Sequence, residues 1–157
     1  MQNKKNMKIK KQKIDPKELF CHKNICFTLM DDKEEKDTKL KKRSEEFKKQ
    51  RISRGFDDSE TWCLDQVIAS FVLPRLKRFK EINCAIPCNV AHSEESMTEE
   101  LWDKILDQII EAFELIKKDE WSKQEVFELA RKENEEKFNK IDRGLHLFAD
   151  YFMQLNW

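Results

Sequence analysis

The clearest pattern along this chain is a helical repeat of hydrophobic and polar positions in residues 99–118. Apolar residues recur there at three- and four-residue spacing, and Asp, Glu and Lys occupy the positions between them. A similar pattern ends near Ile82, and a third runs over about 123–155. The sequence therefore predicts three amphipathic helices, with a loop over 83–97 between the first two. Three long amphipathic helices favour an all-α fold built as an antiparallel bundle.

The start of each predicted helix carries residues that can cap it. The candidate caps are Asp57, Asp58 or Ser59 in the first helix, Ser96 with Glu99 or else Thr98 in the second, and Ser122 with Glu125 in the third. Pro74 lies inside the first helix. We expect it to kink this helix or to split it into two pieces, because proline removes a backbone donor.

We expect the broad apolar face of each helix to pack in the core. In the first helix this face consists of Leu64, Ile68, Phe71, Val72, Leu76, Phe79 and Ile82. In the last helix it consists of Phe127, Ala130, Phe138, Ile141, Leu145, Phe148, Phe152 and Leu155. Gly144 lies away from the centre of the apolar face of the last helix, where a glycine is tolerated.

The first 53 residues follow a different pattern. Residues 1–13 contain six lysines and no acid, which predicts a solvated, disordered basic tail. Residues 16–30 include a short apolar stretch that fits either a strand or an irregular arm lying on the core. Residues 31–52 carry dense charge of both signs and predict an exposed helix, and Gly55 suits the left-handed position after its end.

These patterns divide the chain into two parts. Residues 1–53 form a disordered or loosely packed basic arm, a short apolar segment and an extra charged helix, and residues 54–157 form the helical bundle domain. A chain of 157 residues is long enough for one ordinary domain with a hydrophobic core. Its low content of breakers, 2 Gly and 3 Pro, also favours helices over a turn-rich β fold.

Composition narrows the choice of partner and compartment. The formal net charge is zero, so charge gives no reason to expect a nucleic acid or a membrane as partner. No apolar run approaches the roughly 20 residues of a membrane span, and the basic start lacks the apolar stretch of a signal peptide. The five cysteines, an odd number in a chain of this size, predict free thiols and a reducing cytoplasm.

Two charged residues interrupt the apolar face of the first helix. Asp65 and Arg75 both fall among its apolar positions when residues are placed about 100° apart. They are separated by about 15 Å along a straight helix, so they cannot pair with each other. We therefore expect each to lie inward and to need a partner. That partner is either a structural hydrogen bond or ion pair, or a specific contact to a ligand or another subunit.

Three segments resemble the sequence blocks of a widespread family of small, uncharacterised bacteriophage-encoded helical proteins. The first is Gly55-Phe56-x-Asp58-x-x-x-Trp62-x-Leu64-Asp65, followed by Ala69 and by Pro74-Arg75-Leu76-x-x-Phe79. The others are Glu99-Glu100-Leu101-Trp102-x-x-Ile105-Leu106-x-x-Ile109-x-x-Ala112-Phe113 and Gly144-Leu145-x-Leu147-Phe148-Ala149-x-Tyr151-Phe152. The resemblance covers about residues 54–156. It implies a phage origin and an all-α body, and it implies no reaction.

A basic cluster with aromatic neighbours is the candidate binding site. Guanidinium groups and aromatic faces are what a nucleotide or phosphate ligand needs, although cations also favour the solvated C-terminal end of a helix. The candidate ligand-binding residues are Arg54, Trp62, Asp65, Arg75, Arg78, Phe79 and Lys80. Gly55 and Gly144 are the only glycines, so the chain has no phosphate-cradling glycine loop, which disfavours an ATPase or a kinase.

Metal and nucleophile chemistry receive weaker support. Zinc could bind the loop residues Cys84, Cys88 and His92 together with Cys21, His22 and Cys26. The three-residue gaps are looser than a zinc knuckle, so we favour free thiols, and a Cys–His nucleophile lacks an orienting acid. A row at four-residue spacing on the last helix, Asp142, His146 and Asp150, holds a single imidazole and is interpreted as a solvated face. We predict no metal and no cofactor.

These features favour a cytoplasmic protein that acts by stoichiometric binding and not as an enzyme. If the chain is encoded by a phage, its compartment is the host cytoplasm and a role against host defence is expected. The first hypothesis is binding of a nucleotide-like anionic ligand. The alternative is a protein-interaction module or inhibitor that docks on a host or phage protein. We also expect a homo-oligomer, because an isolated body of three helices is too small to bury all of the aromatic side chains. Among these side chains are Trp62, Trp102, Trp121 and Trp157.

Overall fold

The computed structural model describes residues 23, 25–28, 38–118 and 130–156. Regular structure within these residues is helical, apart from one isolated antiparallel bridge between Asn89 and Ser96. The predicted all-α class is therefore confirmed for this part of the chain. Several sequence predictions lie outside the described residues: the basic tail, most of the segment 16–30, Cys21, His22, Trp121, the Ser122–Glu125 cap, Phe127 and Trp157.

The chain divides into two compact units, Met1–Asp58 and Ser59–Trp157. The first unit contains helix α1, Thr38–Arg54, which buries Phe47 and Arg51. Gly55 follows α1 with a backbone φ of 87°, and its N–H donates to the carbonyl of Arg51 over 2.9 Å. This left-handed cap satisfies a carbonyl of the last helical turn, as Gly55 was predicted to do.

A short 3-10 helix, Asp58–Thr61, begins at the last residue of the first unit, and helix α2 of the second unit spans Leu64–Ile82. Helix α2 therefore begins several residues after the predicted caps. Pro74 was expected to kink this helix or to split it, and the helix runs through Pro74 without a split. Proline removes a single helical donor, and the neighbouring side chains of Leu73 and Leu76 are buried in the core, which holds both halves of the helix in place.

Helix α3 spans Glu99–Lys118 and confirms the predicted range. Its cap is Thr98, whose hydroxyl accepts a hydrogen bond from the N–H of Leu101 at 3.2 Å, while Ser96 lies in the isolated bridge with Asn89. Two glutamates in the first turn, Glu99 and Glu100, are favourable there because they face the positive end of the helix dipole.

Helix α4 spans Ala130–Asp150 and is followed by a 3-10 helix, Phe152–Gln154. Between them Tyr151 is buried, and its hydroxyl accepts a hydrogen bond from the N–H of Ala91 at 2.9 Å. The end of α4 is thereby tied to the loop that joins α2 to α3.

The core of this unit lies on both sides of α3, which packs against α2 and against α4. Near one end of α3, the Gln66 side chain donates to the carbonyl of Ile116 over 2.5 Å. Near the other end, the rings of Trp102 and Tyr151 meet at 5.3 Å. The buried hydrophobic residues of this core are Ala69, Leu73, Leu76, Met97, Trp102, Ile105, Leu106, Ile109, Phe113 and Tyr151.

The faces that α2 and α4 bury differ from the predicted ones by roughly a quarter turn of the helix. Helix α2 buries Ala69, Leu73 and Leu76, whereas Leu64, Ile68, Phe71 and Ile82 of the predicted face are exposed. Helix α4 likewise leaves Phe138, Leu145 and Phe152 of its predicted stripe exposed. A helical pattern locates apolar positions, but the side that is covered depends on where the neighbouring helix lies.

Gly144 lies where α4 approaches α3 closely. A Cβ atom at this position would overlap the Cβ of Ala112 and lie 2.7 Å from the carbonyl oxygen of Gln108. The absence of a side chain thus lets the backbones of α3 and α4 approach closely. Gly144 was expected away from the centre of the buried face of this helix, and that expectation was wrong, because this residue is buried against Ala112.

Candidate binding surface

Helix α2 carries a row of exposed residues on the side that does not face α3. They follow each other at spacings of four and three residues, so they form one continuous line along the helix. The exposed fraction is 55% for Leu64, 47% for Ile68 and 46% for Phe71. We call this row the α2 stripe, and it consists of Leu64, Ile68, Phe71, Arg75, Arg78 and Ile82.

The two arginines of the stripe are held by neighbours on the same helix. The guanidinium of Arg75 lies over the ring of Phe71, 3.6 Å from its centroid, and donates to the carbonyl of Phe71 over 2.5 Å. Arg78 forms an ion pair with Glu81 at 3.0 Å. The stripe is therefore apolar from Leu64 to Phe71, basic at Arg75 and Arg78, and apolar again at Ile82.

The expectation that Asp65 and Arg75 lie inward was wrong, because both residues are exposed. Arg75 lies on the outer side of α2, where the stripe runs. Asp65 belongs to the first turn of α2, and the side chain next to it, Gln66, already reaches the last turns of α3 at Ile116. Neither charge needs a buried partner, so burial gives no reason to expect a specific contact from either residue.

The other basic residues of α2 turn towards α3. Lys80 forms an ion pair with Asp107 at 2.6 Å, and Lys77 forms one with Glu114 at 2.5 Å. Phe79 packs partly buried against the core. The predicted basic cluster is thus divided between two sides of the helix, and only Arg75 and Arg78 remain on the stripe.

The remaining predicted ligand residues lie before α2. Trp62 is 51% exposed, and its backbone N–H donates to the carbonyl of Ser59. Arg54 belongs to the first unit, where its guanidinium forms an ion pair with Asp58 and lies over the ring of Phe56 at 4.5 Å. Neither residue belongs to the α2 stripe.

A buried acid–guanidinium pair does exist, at residues that were not predicted from the sequence. Arg51 of α1 and Asp57 form an ion pair whose side chains are 3% and 0% exposed. Arg51 also donates to the hydroxyl of Thr28 over 3.2 Å. The signal that could have located this pair is Gly55, because a left-handed cap reverses the chain and returns Asp57 to the end of α1.

The neighbouring carboxyl, Asp58, is exposed and well satisfied. Hydrogen bonds from the side chains of Arg54 and Gln50 lower the pKa of Asp58 below its ordinary value of 3.8. Its backbone N–H donates in turn to the Gln50 side chain over 2.9 Å. These contacts join the end of α1 to the residues just after the Gly55 turn.

Among the residues that the structure describes, no three His, Cys, Asp or Glu side chains are placed to share a metal ion. Cys84 and Cys88 are exposed free thiols. His92 has a positive φ of 59° and contacts Asp150 over 3.0 Å. His146 donates from Nδ1 to the carbonyl of Asp142, and this hydrogen bond, with the nearby Asp142 and Asp150 carboxylates, raises the pKa of His146.

A surface cleft of about 370 Å³ lies between α3 and α4. Its lining residues are Gln108, Glu111, Glu136, Asn139, Lys140 and Arg143, and none of them was a predicted site residue. The Lys140 and Glu111 side chains pair at 3.0 Å across the cleft, and this contact raises the pKa of Lys140. The small residues Ala112 and Gly144, which let the two helices approach, were the only sequence signal for this region.

Comparison of the chain with family models, with curated proteins and with solved structures finds no match. Among the described helices, none is long and apolar enough to cross a membrane.

Proposed function

We propose that the protein acts by stoichiometric, non-catalytic binding, and that its partner is another protein chain that docks on the α2 stripe. The observation that carries this proposal is the alignment of exposed apolar residues along α2. Single exposed apolar residues are ordinary on protein surfaces. On α2 three of them, Leu64, Ile68 and Phe71, follow each other at spacings of four and three residues, which is the pattern with which one helix packs against another.

The shape of this surface favours a protein partner over a small molecule. The stripe lies along the outer side of a helix, which is a ridge, whereas small ligands bind in concave sites that cover most of their surface. Its aromatic and arginine content, with Phe71 and Arg75 at the centre, is typical of the residues that dominate protein interfaces.

A capture experiment tests this proposal. Tagged protein is recovered from the cells that carry its gene, beside the variants Ile68→Glu and Phe138→Glu. Phe138 is a matched control because it is 48% exposed on another helix, against 47% for Ile68. We expect the wild type and Phe138→Glu to retain the same chain in stoichiometric amount and Ile68→Glu to lose it. A bound chain that survives Ile68→Glu would contradict the proposal, as would the recovery of no chain under conditions that preserve complexes of similar size.

A nucleotide-like anionic ligand is the second candidate, and one specific observation favours it. Arg75 and Arg78 are exposed one turn apart beside the exposed ring of Phe71, so two guanidinium groups could hold a phosphate next to an aromatic face. ATP and AMP serve as probes in a thermal unfolding series. This candidate requires saturable stabilisation that is lost in Arg75→Glu. Equal stabilisation of wild type and Arg75→Glu would exclude this site.

The finer architecture and the origin of the protein are also proposals. The contacts of α3 with α2 and with α4 support an antiparallel bundle of these three helices in the unit Ser59–Trp157. A phage origin, the host cytoplasm as compartment and a role against host defence rest on the resemblance of residues 54–156. Expression in a bacterial host with an active defence system tests this role: we expect phage growth to increase, and unchanged growth would count against it.

A further inference from the structure

The formal net charge of zero is the sum of two parts with opposite charge. Residues 1–58, the first compact unit, contain eighteen Lys and Arg against eleven Asp and Glu. Residues 59–157 contain thirteen Lys and Arg against twenty Asp and Glu, so the two units carry formal charges of +7 and −7. A polyanion responds to the local positive surface of the first unit, and the overall balance of the chain does not describe that surface.

Helix α1 carries much of this positive charge. Its seventeen residues include eight Lys and Arg and only two acids. Lys41 and Lys42 form one adjacent pair, Lys48 and Lys49 form a second pair seven residues further along, and all four side chains are exposed. Seven residues make almost two full helical turns, so the pairs lie on the same side of α1, about 10.5 Å apart along its axis. We call these four residues the α1 lysine face.

The α1 lysine face is turned away from the interior of its unit. The buried residues of α1 are Phe47 and Arg51, and they lie on the opposite side of the helix. Lys41, Lys42 and Lys49 form no ion pair with any residue that the structure describes. Their positive charges are therefore available to an anion from outside the chain.

The stability of α1 gives no reason for this placement of charge. The first turn of α1 contains no acidic residue and contains Lys39 and Lys41 instead. Cations are unfavourable there, because the N-terminal end of a helix is the positive end of its dipole. The charges weaken the helix that carries them, whereas a bound anion would be attracted both to the lysines and to this end of α1.

The composition of α1 favours a nucleic acid over a membrane surface. A helix that lies in a membrane interface inserts a wide apolar face between the lipids. In α1, every residue of which is described, Phe47 is buried, Leu40 is half-buried, and Ile52 is the single exposed large apolar residue. The lysine face also has no aromatic side chain on which the bases of a single strand could stack. These features favour contact with the backbone of a duplex.

We propose that the α1 lysine face binds the phosphate backbone of a nucleic acid duplex without reading its sequence. Each strand of a duplex carries one phosphate per 3.4 Å or so of its axis, so the roughly 10.5 Å between the two lysine pairs spans about three phosphates. Lysine ammonium groups bind phosphates as point charges, and such contacts carry no sequence information. This binding uses a different surface from the α2 stripe and goes beyond the proposed function.

Fluorescence anisotropy of the full chain with a labelled DNA duplex of about 20 base pairs tests the inference, over about 20–200 mM NaCl. The RNA duplex of the same sequence is measured beside it. One variant combines Lys41→Gln with Lys42→Gln, and another carries Lys49→Gln alone. The matched control combines Lys104→Gln with Lys117→Gln, which removes two exposed lysines from α3. Glutamine is a good helix former, and circular dichroism checks that α1 persists in each variant.

We expect the wild type and the control to bind at low salt, with an affinity that falls steeply as the salt concentration rises. Each phosphate contact releases counterions, so the slope of log K against log salt concentration reports the number of contacts. This slope should fall by about two in the double variant of α1 and by about one in Lys49→Gln. At about 50 mM NaCl the double variant should bind at least about tenfold more weakly than the wild type.

Three results would overturn the inference: a wild type that binds neither duplex at about 20 mM NaCl, variants of α1 that keep the wild-type slope, and a control whose slope falls as much as that of the double variant. Binding to vesicles that contain phosphatidylserine, with no binding to either duplex, would assign the lysine face to a membrane and would also overturn it. Tighter binding of one duplex than of the other would support the inference and identify the nucleic acid.

Discussion

Two sets of acid and guanidinium groups in this chain lie in opposite environments. Arg51 and Asp57, around the end of α1, are almost completely buried as an ion pair. Asp65 and Arg75, on α2, are exposed. A helical wheel predicts that Asp65 and Arg75 of α2 are buried, because both fall among apolar positions. It does not predict the buried pair of Arg51 and Asp57 near Gly55.

The difference between the two regions lies in what surrounds each helix. After α1 the chain reverses at Gly55, and this turn brings Asp57 back to Arg51 of the same unit. On α2 the only extensive helix contact among the described residues is with α3, which covers one side. Charge burial here follows from local chain reversal and from the position of a neighbour, and not from the helical repeat.

Removal of one partner of the buried pair should have the largest effect. Asp57→Ala leaves the Arg51 guanidinium buried without its carboxylate, which costs about 3–5 kcal/mol of unfolding free energy. Urea unfolding followed by circular dichroism measures this loss. Asp65→Ala and Arg75→Ala are the matched exposed changes and should stay within about 0.5 kcal/mol of wild type. Equal losses of unfolding free energy from the buried and the exposed changes would contradict the difference in burial between the two regions.

The two sides of α2 can be compared with the same substitution. Leu76 is 5% exposed and Leu64 is 55% exposed on one helix. Leu76→Ala should cost about 2–5 kcal/mol because it leaves a cavity in the core. Leu64→Ala should cost about 0.5 kcal/mol or less when the protein is dilute enough to be monomeric. A larger loss for Leu64→Ala in that regime would mean that the predicted face of α2 is the buried one after all.

The contact between α3 and α4 should reverse the usual effect of replacing a helical glycine. Alanine ordinarily stabilises a helix interior by about 0.5–1 kcal/mol relative to glycine. At position 144 the added methyl would overlap Ala112 and press on the carbonyl of Gln108, so Gly144→Ala should destabilise by about 1–3 kcal/mol. Combining it with Ala112→Gly should recover part of the loss. A stabilising Gly144→Ala would show that the helices do not approach there.

Low pH should weaken the contacts of the Asp58 carboxylate. The resulting loss of stability can be measured with a single substitution at this position. The pKa of Asp58 is lowered in the folded protein by Arg54 and then by Gln50. The stabilisation is therefore fully present above the ordinary value of 3.8 and is lost as the pH falls through the lower folded value. Asp58→Asn should reduce the difference in stability between about pH 6 and about pH 3. An unchanged difference would argue against the ion pair with Arg54.

Local features of the fold were predictable from the sequence, and the relation between helices was not. The bounds of α3, the loop before it and the cap at Gly55 depend on neighbouring residues, so periodicity and capping rules were sufficient. The covered sides of α2 and α4 depend on the close approach at Gly144 and on the position of α3. A helical wheel describes one helix at a time and includes neither the close approach at Gly144 nor the position of α3. This is why Ile68 and Phe138 were both expected in the core.

The candidate site was only partly predictable for the same reason. Arg75 and Arg78 remain together on one surface, whereas Lys80 and Phe79 turn towards α3. The sequence places all four within one turn and a half of helix, so composition alone suggests a single cluster. Which of them share a side with Phe71 follows only from the rotation of α2 about its axis.

The central claim is that α2 covers Ala69, Leu73 and Leu76 against the core and leaves the α2 stripe at the surface. Hydroxyl-radical footprinting of the dilute, monomeric protein tests it directly, because side chains on both sides of α2 are read in one experiment. We predict rapid oxidation of Ile68 and Phe71 with protection of Leu73 and Leu76. Protection of Phe71 together with rapid oxidation of Leu76 would contradict the account.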